Sequence, residues 1–413
     1  MRRFFAAACL IAASVTATAT APSHASPLEL FGFGARSPGL AGGGVADAND
    51  YSSVYTNPAG LARVRHKGLA IGTAATRFRL SVNNRRQDID NGTALIFGGA
   101  VPIPLGGALS ERVVLGLGFH IPNQALVRVD RPLVGEPTFV LLDNRADALA
   151  AQVALGVRVT DRLSVGAGVL ILAALAGKIT VTNDAAGAFV SQSDQRLETD
   201  VAPIVGARYE LSTDLALGLA ARGPSRSDYD IEVETDLTSI PLDLPELAVA
   251  GNAQYDPGMV SVGAAFAPNS QLILFADLEY RRWSAFPRPT ENPVVGGPPT
   301  PEPGFSDTVV PRLAVEASRS IGPVTLRPRL GYAFFLSPAP QASGEATLLD
   351  NHRHLLAAGL GLSVNVGAVP MRFDIWTQLH LLHLRRHTKD AGAMRVSSKG
   401  QIVAGGLTAG VDL

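Results

Sequence analysis

The residues able to do chemistry fall into two groups. His380, His383 and His387 stand at i, i+3 and i+7, with His352 and His354 a short way upstream. On a helix the first three would share a face and could hold a metal. On a strand His380 and His383 point to opposite sides and could not. The second group is acid–base: Asp277, Glu279 and Arg281 alternate with apolar neighbours, as do Arg312, Glu316, Arg327, Arg329, Arg372 and Asp374. Carboxylates near cations can serve general acid–base catalysis. Charge recurring at every second residue is read instead as the wet face of a strand, paired into networks because isolated buried charge is costly. There is no Walker loop, HExxH or GxSxG elbow, and Gly42-Gly43-Gly44 lacks the Lys-Ser/Thr that would make a phosphate loop. The expectation is a protein that is not an enzyme, with no metal and no cofactor.

The elements that position these residues follow from alternation. In Val324–Phe334 one face carries Val324, Leu326, Leu330, Tyr332 and Phe334, and the other Thr325, Arg327, Arg329 and Gly331. Gln271–Trp283 and Met371–Leu381 repeat the pattern, and such period-two sorting gives strands with one greasy and one polar side. Fourteen such stretches are read: 67–82, 92–103, 111–121, 146–160, 162–182, 195–211, 214–235, 258–267, 271–283, 308–321, 324–336, 353–366, 369–386 and 400–413. They are longer than ordinary soluble strands and suit a tilted crossing of a bilayer. Short connections, such as Thr160-Asp161, Gly322-Pro323 and Gly367-Ala368, alternate with long ones at 83–91, 122–145, 183–194, 236–257, 284–307, 337–352 and 387–399. That asymmetry is the mark of an outer-membrane barrel, and closure removes the sheet edges that hydrocarbon will not tolerate.

Composition agrees. Charged residues make up 17% of the chain and 42 residues are glycine, yet no apolar run long enough for a spanning helix follows residue 25. A net charge of −1 gives no electrostatic case for nucleic acid. Arg2 and Arg3, the apolar stretch from Phe4, and Ser23-His24-Ala25 read as a signal peptide cleaved near Ala25, which would take Cys9, the lone cysteine, with it.

Residues 26–66 do not alternate. Ser37–Gly44 is dense in glycine, and Asn57-Pro58-Ala59-Gly60-Leu61 marks the end of a short helix. Gly39–Leu61, with its Val54-Tyr55-x-Asn57-Pro58-Ala59-Gly60-Leu61 element, resembles the hatch segment of the FadL family of long-chain fatty-acid and toluene transporters. Leu272–Tyr280 with Trp283-Ser284, and Leu330–Phe334 with Ser337-Pro338 and Asp350–His354, resemble later blocks of that family in the same order; the terminal Leu413 departs from the aromatic that often ends such barrels.

The resemblance implies an all-β protein: a transmembrane antiparallel 14-stranded barrel over 67–413, its lumen occupied by an N-terminal hatch at 26–66, after a signal peptide at 1–25. It implies a monomer in the outer membrane whose partners are membrane lipid and a hydrophobic small molecule, by default a long-chain fatty acid. Such a molecule would bind near the outer mouth, move to a site beside the hatch and leave sideways through a kink in the third strand. Gly116, Gly118 and Pro122 are the candidates for that kink, because glycine in a strand often marks a bend, though the glycines could equally make room for the hatch. Asn57, Pro58 and Ala59 are the candidates for the gate, with Asn57 expected to bind the backbone of the third strand. The alternative function is an assembly or secretion scaffold with no transported solute.

Overall fold

The computed structural model describes residues 27–413 apart from 88, 124–136, 143–148, 184–188, 237–246, 289–296, 344–347, 368 and 390–394. The signal-peptide reading and most of the 122–145 connection lie outside the described residues. Fourteen strands form the wall: β1 (Gly68–Val82), β2 (Thr93–Pro102), β3 (Val113–Pro122), β4 (Ala150–Arg158), β5 (Leu163–Asn183), β6 (Phe189–Glu210) and β7 (Leu215–Arg222, resuming at Ser225–Asp236). They continue with β8 (Leu247–Asp256, resuming at Met259–Asn269), β9 (Leu272–Arg281), β10 (Thr308–Ala317 with Arg319–Ile321), β11 (Val324–Phe335), β12 (Arg353–Val366), β13 (Val369–Lys389) and β14 (Arg395–Asp412).

Each strand pairs antiparallel with the next, and β1 pairs with β14 from Gly68↔Asp412 to Val82↔Ser398, which closes the ring. Closure gives the first and last strands the partners they would otherwise lack in lipid. Leu313, Leu330 and Ile375 are 61%, 60% and 57% exposed, so the greasy face points outward, while Asp277, Glu279, Arg312 and Arg329 are buried within. Alternation therefore reads as expected for a barrel, oily outside and polar inside.

Three strands reach well into stretches expected to be loop: β6 begins at Phe189, β8 at Leu247 and β14 at Arg395. Phe189–Asp200 carries Ser191, Gln192, Ser193, Asp194 and Gln195 in a row. Beyond the hydrocarbon both faces of a strand meet polar surroundings, and the period-two signal disappears while the ladder continues.

The segment before β1 is compact. It holds three short helices, α1 (Pro27–Phe31), α2 (Arg36–Gly39) and α3 (Ser53–Thr56), then a 3-10 turn over Pro58–Arg63. One side is apolar: Leu28, Phe33, Val54 and Leu61 pack on Ile96, Val114, Ala154, Leu170 and Ile204 of β2–β6. A second apolar contact joins Leu30 and Phe31 to Phe78, Trp376 and Ile402 of β1, β13 and β14. The remaining side faces the charged interior of β9–β13.

Candidate functional site

The charged interior binds the segment. Arg36 reaches Glu316 through Nε and Nη2, each at 3.0 Å, and Asp47 Oδ2 at 3.1 Å. Burial pushes the Arg36 guanidinium down, but Glu316 and Asp47 more than offset it, so its pKa rises above the ordinary value. Glu316 also accepts from Arg329 Nε at 2.6 Å, and Arg329 continues to Asp374 at 2.5 Å. A parallel chain runs from Glu29 through Arg281 and Glu279 to Arg312. Gly44 N donates to Asp277 at 2.6 Å, and Gln378 donates to the carbonyls of Phe31 and Pro38, both at 3.0 Å. Buried charge is thus held mainly in paired networks, as low-dielectric surroundings require.

Asn57, Pro58 and Ala59 are completely or almost completely buried. Asn57 caps the 3-10 turn, its side chain accepting from Ala59 N at 3.1 Å while Nδ2 donates to Val45 O at 2.8 Å and to Ala207 O at 3.1 Å. Ala207 belongs to β6, so Asn57 binds the sixth strand and not the third. The Asn57-Pro58 turn rests on three glycines in register, Gly156↔Gly166↔Gly206 of β4, β5 and β6. A Cβ on Gly166 would lie 2.3 Å from Pro58 C, and one on Gly206 2.0 Å from Asn57 Oδ1.

Gly116 and Gly118 also face the segment. A Cβ on Gly116 would meet Val54 at 2.5 Å and Leu61 at 2.7 Å, and one on Gly118 would meet Phe33 at 2.6 Å. The ladders of β3 run without a register shift from Ala94↔Pro122 to Pro102↔Val114 on one side and from Val113↔Val157 to His120↔Ala150 on the other. Of the two roles the sequence allowed these glycines, clearance for the segment is the one with contacts behind it, and pairing is uninterrupted as far as Pro122.

Beside the segment lies a cleft of about 640 Å³, open solvent at its mouth included, between α1, Tyr55 and the inner faces of β6–β13. Its walls are half greasy, from Leu28, Phe31, Ile204 and Met259, and half charged, from Glu279 and Arg281. Arg222 stands at the boundary. Its guanidinium lies 3.9 Å from the Tyr55 ring centroid, and Nη2 donates to Met259 Sδ at 2.7 Å. Nε and Nη1 are buried and have no hydrogen-bond partner among the described residues. Burial pushes the Tyr55 phenol up, so Arg222 meets a neutral ring and gains cation–π attraction without an ion pair. Farther out, Tyr255, Trp283, Phe286 and Phe305 form an aromatic cluster, with the Phe286 and Phe305 rings stacked at 4.4 Å.

A family described as outer membrane protein transport protein (OMPP1/FadL/TodX) matches residues 15–369. The chain belongs to this family. No curated protein matches it in sequence. The FadL-family fold is also that of a Pseudomonas aeruginosa FadL homologue, 14% identical, with TM-score 0.61 over 94% of this chain and 98% of the other. The Pseudomonas putida toluene transporter TodX is 12% identical, with TM-score 0.56 over 93% and 99%. The Ralstonia pickettii toluene transporter TbuX is 15% identical, with TM-score 0.51 over 92% and 98%. At these identities the likeness concerns fold alone.

The histidines of this FadL-family barrel do not converge. His380 faces the interior, 3.2 Å from Gln378 Oε1 and edge-on to Phe31, and His387 is buried against Ser398 Oγ at 3.0 Å. His383 lies in a register shift between Leu382 and Arg385 and points outward, its ring 4.5 Å from that of His354. A strand, not a helix, carries them, and its two faces separate the set. Arg222 was missed in the sequence, although a signal exists: it is the first charge on the inward phase of Ala216, Gly218 and Ala220.

Proposed function

We propose that the chain is a passive outer-membrane channel for hydrophobic molecules bearing one anionic end, long-chain fatty acids foremost, with residues 26–66 acting as its hatch. Arg222 carries the reading. A guanidinium with two buried, unpartnered nitrogens at the border of greasy and charged walls suits a carboxylate whose tail lies along Leu28, Phe31, Ile204 and Met259. An aromatic hydrocarbon such as toluene, for which the transporters TodX and TbuX are named, would leave those donors unpaired, and unpaired buried donors cost affinity. The outer aromatic cluster supplies a first, looser contact, because flat rings shield an alkyl chain without demanding one pose. The segment fills the lumen beneath the cleft, so the molecule leaves sideways into the membrane and avoids re-exposure to water at about 0.8 kcal/mol per CH₂.

Binding of oleate and of toluene to the purified protein tests this. Wild type should bind oleate the more tightly, and Arg222→Met should weaken oleate at least tenfold with toluene unchanged. Equal oleate binding by both proteins would remove the carboxylate from the proposal.

A further inference from the structure

The wall changes at one height across three neighbouring strands: β7 and β8 are interrupted while β6 runs on beside β5, and a proline stands at that height in each. Ile204↔Arg222 is the last β6–β7 pair, and Arg222↔Met259 the last pair of β7 with β8 before both strands are interrupted. One step higher stand Pro203 in β6, Gly223-Pro224 in β7 and Pro257-Gly258 in β8. A final hydrogen bond joins Gly223 N to Pro203 O at 2.9 Å. Inside–outside phase also slips: Gly218 and Ala220 are buried at even numbers, but beyond the break Pro224 is exposed and Ser225 buried.

Above the break the strands change partners. The upper part of β7 pairs antiparallel with β8 and runs parallel to β5, from Leu175↔Tyr229 to Thr182↔Asp236. It takes the edge of β5 that β4 vacates after Ala150↔Leu172. To present that edge the β5–β6 ribbon must turn over, which two-stranded ribbons do by their strong twist. Above Pro203, β6 keeps β5 as its ladder partner and parts from β7. An open edge in hydrocarbon is costly because backbone N–H groups go unpaired. Proline has no N–H, so Pro203 and Pro224 remove the donors that would be orphaned there.

We propose that this gap between β6 and β7 is the exit by which a molecule in the cleft enters the membrane, an exit distinct from any opening at β3. The proposal rests on the channel reading above. Ile204, Ala221 and Arg222 line both the cleft and the lower rim of the gap. Outside it, Val201, Val205, Leu219 and Val260 present 48%, 49%, 47% and 43% of their surface to lipid. Arg222 stands at the rim, so an alkyl tail can pass between Val201 and Ala221 into hydrocarbon while the carboxylate is still held. The Asn57–Ala207 contact lies four residues below Pro203 on β6 and forms the floor under this route.

The test is photolabelling of the wild-type protein in outer-membrane vesicles with a long-chain fatty acid carrying a terminal diazirine, alongside uptake and binding of oleate by two variants. Label is expected on residues 201–205 and 221–226. Val201→Trp, which thickens the rim, should slow uptake severalfold with oleate binding intact, whereas Leu117→Trp on the outer face of β3 should leave both unchanged. Label confined to β2–β4, or uptake slowed by Leu117→Trp and not by Val201→Trp, overturns the exit. Wild type that neither binds nor takes up oleate overturns the channel reading itself, so the two failures are told apart.

Discussion

The Asn57 side chain joins the N-terminal segment to the barrel wall, donating to the Ala207 carbonyl at 3.1 Å from a fully buried position. The same amide holds Val45 O and Ala59 N, so one residue ties two turns of the segment to β6. Replacing Asn57 by Leu removes all three bonds and leaves buried backbone groups unpaired, at about 2–4 kcal/mol in total. The barrel's own ladders are untouched. Asn57→Leu is therefore expected to keep the heat-modifiable gel mobility of a folded barrel while limited proteolysis begins to cut within residues 27–66. Unchanged protease resistance would show that Asn57 does not hold the segment.

Gly166 makes room for that turn, since a Cβ there would sit 2.3 Å from the Pro58 carbonyl carbon, a backbone atom unable to swing aside. Gly166→Val should destabilise the protein by about 1–3 kcal/mol through overpacking. Gly367→Ala, at a connecting turn with open space around its Cβ but a φ of +64°, should cost only the smaller backbone strain. Thermal unfolding of the two variants in one detergent ranks them, and equal loss would contradict the close approach at Gly166.

Arg36 carries two carboxylates, Glu316 and Asp47, and Glu316 is shared with Arg329. Arg36→Met strips a cation from a buried cluster and should cost about 3–5 kcal/mol, whereas Arg36→Met with Glu316→Gln should recover part of the loss because less uncompensated charge remains. A double-mutant cycle on thermal stability measures the coupling. Additive losses would mean that the two residues do not interact.

How much of this was legible beforehand differs from place to place. Each of the fourteen strands begins or ends within a few residues of an alternating stretch, because lipid and lumen sort side chains by phase, as Leu274, Leu278 and Tyr280 against Asp277 and Glu279 show. What the alternating stretches leave out is the Leu247–Asp256 part of β8, although it too sets Leu247, Val249 and Tyr255 against Asn252, Gln254 and Asp256. Pro203, Pro224 and Pro257 were visible as residues but not as a row, since their common height depends on register between strands far apart in sequence. Arg222 was hidden similarly: that its Nε and Nη1 find no hydrogen-bond partner among the described residues depends on contacts made far away in sequence. The pairing of Arg36 with Glu316, 280 positions apart, has no trace in local pattern.

Gly118 in β3 separates two accounts of a glycine in a wall strand. If it serves clearance, what matters is the Phe33 ring, which a Cβ would approach to 2.6 Å, with Val54 at 3.2 Å. If it serves bending, what matters is backbone freedom, which alanine reduces whether or not Phe33 is there. The continuous ladder from Gly98↔Gly118 to Gly118↔Gln152 favours clearance. Gly118→Ala should then destabilise by about 1–3 kcal/mol in the parent. In a Phe33→Ala background, where the ring is gone, the same change should cost much less. Thermal unfolding of the four proteins in the cycle checks this, and a Gly118→Ala penalty independent of residue 33 would restore the bend as the reason for glycine.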